Sequence, residues 1–422
     1  MKASRIVLPS LALIAGLFHF FVSTPVFETG PDALNQIAGA FNLFSGNGYT
    51  LESGEPVRYW LPIYAIYASG FLAVNRTFTS LAVGNSLLIA AVSFTWSIFI
   101  LRASSMLSGA GTKAPVLTPF KFFSISSATF IAIHVLRNPS SDAAFSLVFP
   151  IFLCSLLELA TSDWRVPSAS SYAILSIGLV NSHNMGVMLF LAASCSFFLS
   201  FMLRRKIAHA VTLVLAAIVA LPSWLAVRKY FDLEGSHEFQ GLFGADRSIE
   251  STALDLILGP SDLLFFFWPA GTFILFTLIF LGIRAAAKLD GEMKDATYAL
   301  LSSILLFSAF LFFIFSSTTI HSGIGGRFAL VQALCVLMLS NVAVTFLRPK
   351  IHISVVLLAA LPLASSATRV AKWYKEYHID GVYQWNKSIV RSSEIFDPTT
   401  LTELRKTRCR DSFCSARAQL RD

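Results

Sequence analysis

The sequence predicts an all-α, polytopic integral membrane protein of about eleven transmembrane helices plus a re-entrant or juxtamembrane helix. Three observations carry that expectation. Hydrophobic residues make up 55% of the 422 positions and charged residues only 13%, and the mean hydropathy is +0.67, far too apolar for an ordinary soluble chain. Apolar stretches near the ~18–20 residues needed to span a bilayer recur along the whole length. None of them alternates polar with apolar, so helices rather than barrel strands must satisfy their backbone groups in lipid.

Taken in order, the spans are expected at 6–27, 78–101, 122–136, 143–160, 168–182, 185–203, 207–227, 264–283, 296–316, 328–347 and 351–368. The first follows Lys2 and Arg5. Its apolar run is long and no A-x-A-like site follows it, so it reads as a retained helix rather than a signal peptide. The segment 59–74 is short, contains Pro62 and carries Tyr59, Trp60, Tyr64 and Tyr67, which suits an interfacial or re-entrant helix better than a span.

Whether 59–74 crosses decides the sidedness of everything after it, and basic residues settle the matter because short cytoplasmic loops collect them. If 59–74 stays on one side, fourteen Lys and Arg face the cytoplasm and seven face out; if it crosses, the split becomes eight and thirteen. The first arrangement follows the rule. It places the N-terminus in the cytoplasm and a tail, 369–422, outside. This also accounts for most of the net charge of +8 without nucleic acid as a partner. The tail holds eleven basic residues against seven acidic ones and is too short for a large core of its own. Cys154, Cys195 and Cys335 lie in spans and read as small core residues. Cys409 and Cys414 fall in the tail, where an oxidising compartment would permit a disulfide.

The outward polar segments are 28–77, 137–142, the His183-Asn184 turn, 228–263 and 318–327. Carboxylates or broken helices near the membrane midplane, which an ion-coupled transporter would place there, are scarce, and no internal repeat is visible. The segment 228–263 brings Asp232, Glu234, His237, Glu238, Asp246, Arg247 and Glu250. Their spacing matches no tight metal pattern, and the segment reads as an outer lid.

The first outer segment carries the most information. It runs FETGPDALNQIAGAFNLFSGNGYTLESGEPVRYWLPIYAIY, with Glu28 and Asp32 at the membrane exit, small residues within 33–44, the turn Gly46-Asn47-Gly48-Tyr49, and Trp60-Leu61-Pro62-Ile63-Tyr64. Downstream come Asn138-Pro-Ser-Ser-Asp142, an acidic motif ahead of an apolar helix, and Gly325-Gly326-Arg327-Phe328 at the start of another. In order and sidedness these features resemble the GT-C glycosyltransferases, membrane enzymes that take a sugar from a polyprenyl-phosphate carrier and include protein O-mannosyltransferases and lipid A aminoarabinose transferases. The proline segment has one proline where that family often has two, and Arg58 stands where a lysine is usual. The resemblance reaches to about residue 347.

The resemblance implies a transmembrane catalytic domain over 1–368, with 28–77 as its catalytic loop, in a bacterial inner membrane. The expected reaction moves a sugar from a polyprenyl-phosphate donor to an extracytoplasmic glycan, lipid or protein, with inversion. A carboxylate at a helix exit can act as general base, which assigns Asp32 to that role and Asp142 to a second acid that orients the acceptor. Arginine forks bind two phosphate oxygens, so Arg327 and Arg58 are the expected phosphate ligands, with Arg137 and His183 behind them and Tyr49, Tyr64 and Glu28 as further substrate contacts. Oxygen ligands suit Mg²⁺ or Mn²⁺, so a divalent cation on Asp32 and Asp142 is the one cofactor left open.

Plainer roles stand beside these. Asp32 and Asp142 could each cap the helix that follows, the arginines could snorkel at helix ends, and His183 could be a turn residue. Two alternative functions also stay open: a lipid or glycan flippase or other transporter, and an O-antigen ligase or polymerase-like enzyme.

Overall fold

The structure is a computed structural model that describes residues 2–23, 31–51, 53–57, 61–107, 118–136, 141–231, 233, 264, 270–289, 291–316, 329–345, 360–365, 367–372 and 375. Of the side chains within helices, those of 2–5, 31–34, 270–276, 278, 314–316 and 345 are not described. Among the described residues twelve helices follow in order: α1 (Lys2–Ser23), α2 (Pro31–Phe44), α3 (Ile63–Val74), α4 (Phe78–Leu107), α5 (Pro119–Val135), α6 (Ser141–Thr161), α7 (Val166–Ser182), α8 (Asn184–Leu203), α9 (Ile207–Tyr230), α10 (Ala270–Ala287), α11 (Gly291–Ser316) and α12 (Leu330–Thr345).

Among the described residues five of these are long and apolar enough to cross a membrane: α4, α6, α8, α9 and the Gly291–Phe313 part of α11. Ile6–Phe21, Pro119–Val135 and Leu330–Val344 are shorter apolar helices. The eleven spans expected from the sequence are thus represented by five at full length, and most of the last, 351–368, lies outside the described residues. Helix α3 has 12 residues, which at about 1.5 Å each reach about 18 Å, well short of the roughly 30 Å hydrocarbon core. It lies against α2 and α4.

Helix α4 is the hub. It packs on α1, α5, α6 and α12, while α7 joins α6 to α9 and α11 lies along α8. Tight turns make the neighbours antiparallel. Between α7 and α8 a single extended residue, His183 at φ −163° and ψ 155°, reverses the chain. The closeness needs Gly186, because a Cβ there would come 2.0 Å from the Leu179 carbonyl oxygen. Between α8 and α9 the turn is a Schellman motif: the Lys206 N–H donates to the Phe201 carbonyl at 2.9 Å and the Arg205 N–H to Met202 at 3.1 Å. Arg205 takes the positive φ of 56° that glycine usually supplies.

Several polar groups inside the bundle are hydrogen-bonded to one another, which offsets the cost of their burial. The Trp96 Nε1–H donates to the Ser146 carbonyl at 2.7 Å. Asn341 donates to Ser124 at 3.0 Å, and Tyr172 shares a 2.9 Å bond with Ser194. Buried His19 joins α1 to α4 through Ser86 at 2.9 Å and Asn85 at 3.4 Å. Cys154 and Cys335 are buried as expected, but Cys195 is exposed. It sits on an exposed face of α8 with Leu199 and Met202, not in the core. Cys409 and Cys414 lie outside the described residues.

Candidate functional site

The two ends of the bundle differ in chemistry. At one end α4, α6, α8, α9 and α11 meet through ion pairs: Arg102 with Glu158 at 2.8 Å, Arg204 with Asp295, and Lys206 with Glu292. The other end carries the first loop, the start of α6, the turn between α7 and α8, and the end of α9. Of the residues singled out from the sequence, Tyr49, Asp142 and His183 lie there.

The first loop is built on its glycines. Gly46 and Gly48 take φ +78° and +77°, and the Asn47 N–H reaches back to the Asn42 carbonyl at 2.8 Å to end α2. The chain then forms a tight hairpin in which the Leu51 N–H donates to the Glu55 carbonyl at 2.7 Å and the Val57 N–H to Tyr49 at 3.1 Å. Asn42 fastens this hairpin to α2 by donating to the Thr50 and Leu51 carbonyls at 2.9 and 2.8 Å. The fold-back lays the Tyr49 ring across Gly39, where a Cβ would come 2.3 Å from the ring, and edge-on to Phe231 at the end of α9, 5.9 Å between centroids. Tyr49 is buried, and burial pushes its phenol pKa up, so the hydroxyl stays protonated and its long 3.5 Å contact to Gln36 is a donation. Tyr64 is buried against Tyr67, whose hydroxyl donates to the Gly84 carbonyl at 2.7 Å.

Asp32 is the second residue of α2, which begins at Pro31. With Pro31 as the first helical position, Asp32 lies two positions past the cap. Asp142 occupies the first turn of α6 and is only 4% exposed. Its Oδ1 lies 3.5 Å from His183 Nε2. His183 also caps α8, since its Nδ1 accepts the Met185 N–H at 3.0 Å. That capping bond fixes the tautomer: with Nδ1 accepting, the ring proton sits on Nε2, the nitrogen nearer Asp142. The Phe145 ring, 6.0 Å from the imidazole, closes one side.

The sequence separated two readings of His183, turn residue or ligand, and the structure makes it a turn residue whose second nitrogen faces a carboxylate. What sequence reasoning missed is the next ring of contacts. Asn184 accepts from Arg228 Nη1 at 3.3 Å, and Asn181 donates to Ser223 at 2.9 Å. The signal was available. Four consecutive polar residues, Asn181-Ser-His-Asn184, exceed what a one-residue reversal between apolar helices needs. Glu28, Arg58, Arg137 and Arg327 lie outside the described residues, as does nearly all of 232–263.

Among the described residues no three His, Cys, Asp or Glu side chains cluster as a metal site. Asp142 and His183 offer one oxygen and one nitrogen, which is short of a cation cage.

No family model matches this sequence, and no curated protein matches it. Two solved structures do match in shape. ArnT from Cupriavidus metallidurans bound to undecaprenyl phosphate superposes with a TM-score of 0.59 at 13% identity, over 84% of this chain and 62% of ArnT. ArnT from the same organism in the apo state gives 0.54 at 14% identity, with the same coverage. This chain therefore spans about 62% of the length of the protein it matches, and what it shares with that protein is the fold, a GT-C-like arrangement of membrane helices.

Proposed function

We propose that the chain is a bacterial inner-membrane, GT-C-type glycosyltransferase that moves a sugar from a polyprenyl-phosphate donor to a hydroxyl of an extracytoplasmic glycan, lipid or protein. The observation that carries this reading is Asp142, a carboxylate buried in a helix first turn and faced by a histidine of fixed tautomer. It sits in a fold like that of a protein solved with undecaprenyl phosphate. Leaving a buried carboxylate without a partner costs several kcal/mol, roughly, so a position of this kind speaks for use rather than accident.

In the proposed step the acceptor hydroxyl attacks the anomeric carbon. The new carbon–oxygen bond forms as the bond from that carbon to the phosphate oxygen breaks, and polyprenyl phosphate leaves with the electron pair. Asp32 takes the hydroxyl proton. Asp142, held by His183, orients the acceptor, and Arg327 and Arg58 neutralise the departing phosphate with Arg137 nearby. Attack from the side opposite the phosphate inverts the anomeric centre. Tyr49 and Tyr64 serve the site from beneath by holding the first loop and α3 in place.

The experiment is transfer of a radiolabelled sugar from a panel of polyprenyl-phosphate donors to cell-envelope acceptors by the purified full chain and its Asp32→Asn variant. Wild-type transfer that falls by about two to four orders of magnitude in the variant supports the assignment. Equal transfer by both removes Asp32 from the chemistry. No transfer alongside measurable lipid-linked sugar flux across vesicles replaces the reading with a flippase.

A further inference from the structure

Arg228, near the end of α9, is tied to that same site by contacts that the reaction scheme does not use. Its Nη1 donates to the Asn184 side chain at 3.3 Å and its Nη2 to the Leu233 carbonyl at 3.0 Å, while the guanidinium lies over the Trp224 ring, 5.3 Å from its centroid. Both acceptors are neutral, so these bonds do not amount to an ion pair. What they do is geometric. A planar fork with two fixed directions joins the end of α9, the first residue of α8 and the chain just past α9.

Asn184 follows His183 directly, and His183 has no slack. Its backbone forms the whole reversal between α7 and α8, one ring nitrogen caps α8, and the other faces Asp142. Helix α9 is the least buried of the candidate spans, with 28% of its apolar window buried among the described residues. Arg228 and the Asn181–Ser223 bond tie its end to this turn.

We infer that Arg228 is a positioning residue: through Asn184 it holds the His183 turn so that Nε2 stays beside Asp142, and through Leu233 it fastens the chain just past α9. The inference rests on the proposed reaction at Asp142, and its physical half is testable without that reaction.

Three variants of the full chain test it: Arg228→Lys, which keeps the charge but not the fork; Asn184→Ala, which removes only the acceptor; and Arg228→Ala. In the transfer assay the expected result is a roughly 10- to 100-fold fall in kcat with donor KM within about twofold. The loss from Arg228→Ala should vanish when His183→Ala is already present, because both act through one turn. A rise in donor KM would make Arg228 a substrate ligand instead, and losses that multiply with His183→Ala would make it an independent structural prop; either overturns the inference. Hydrogen exchange on the same proteins needs no activity. Arg228→Ala and Asn184→Ala should speed exchange at residues 183–186 and leave the 204–206 turn at the other end unchanged. Unaltered protection at 183–186 overturns the inference even if no donor is ever found, whereas faster exchange there without transfer by wild type leaves the positioning role standing and removes the proposed reaction.

Discussion

The two ends of this bundle use charge in opposite ways. At the Arg204 end the ions are abundant, partly exposed and paired with one another. Arg102 and Glu158 meet with 55% and 42% of their side chains exposed, and exposed pairs of that kind contribute about 0–1 kcal/mol. At the Asp142 end the described carboxylate and its histidine are screened from solvent. Asp142 and the neutral His183 ring have 5% and 15% of their side chains exposed, a setting in which a charge left without polar company costs more than at an exposed site. The exposed pairs join helix ends to one another, and the proposed chemistry falls to the shielded carboxylate.

Substitutions can break or sharpen that contrast. The largest effect should come from Asp142→Asn, which keeps size and nearly all contacts but removes the charge. Sugar transfer should fall by about two to four orders of magnitude while the thermal midpoint moves little. His183→Ala comes next, with loss of both the cap and the orienting proton. The cap alone is worth about 0.5–2 kcal/mol, and His183→Asn should restore that stability without restoring activity, a split that thermal melts and transfer assays on the same samples would read.

Gly186→Ala should destabilise by about 1–3 kcal/mol because the Leu179 carbonyl cannot retreat, measured as a lower midpoint. Gly39→Ala should be milder, since the obstacle is a side-chain ring, and a second change, Tyr49→Leu, should recover part of the loss. The smallest effect belongs to the other end. Glu158→Gln should cost less than about 1 kcal/mol and leave transfer at the wild-type rate.

Much of the fold was legible because the bilayer imposes it. The apolar runs at 78–101, 143–160, 185–203 and 207–227 became α4, α6, α8 and α9 with ends shifted by a few residues, and the shortness of 59–74 anticipated the 12-residue α3. Asp142 was legible for a local reason, an acidic residue directly before an apolar helix. Its pairing with His183 was not, because the two are 41 positions apart and hydropathy carries no information about which helix ends meet.

Asp32 was read as a possible cap, yet α2 starts one residue earlier, at Pro31, where proline's fixed φ suits the first helical position. Tyr49 and Tyr64 were expected as substrate contacts from the glycine turn and proline segment that carry the resemblance. The packing of Tyr49 over Gly39 could not be seen without knowing that the loop folds back on α2. Arg228 was counted only as a topology signal, since an arginine at a helix end ordinarily is one.

The most direct test sets the two ends against each other in one assay. Asp142→Asn and Glu158→Gln each neutralise a single carboxylate of α6, one at either end of the same helix. Transfer of labelled sugar from polyprenyl-phosphate donors should collapse in the first and persist in the second, at matched folding and detergent. Transfer that persists in Asp142→Asn, or that collapses equally in both, would contradict the assignment of chemistry to the Asp142 end.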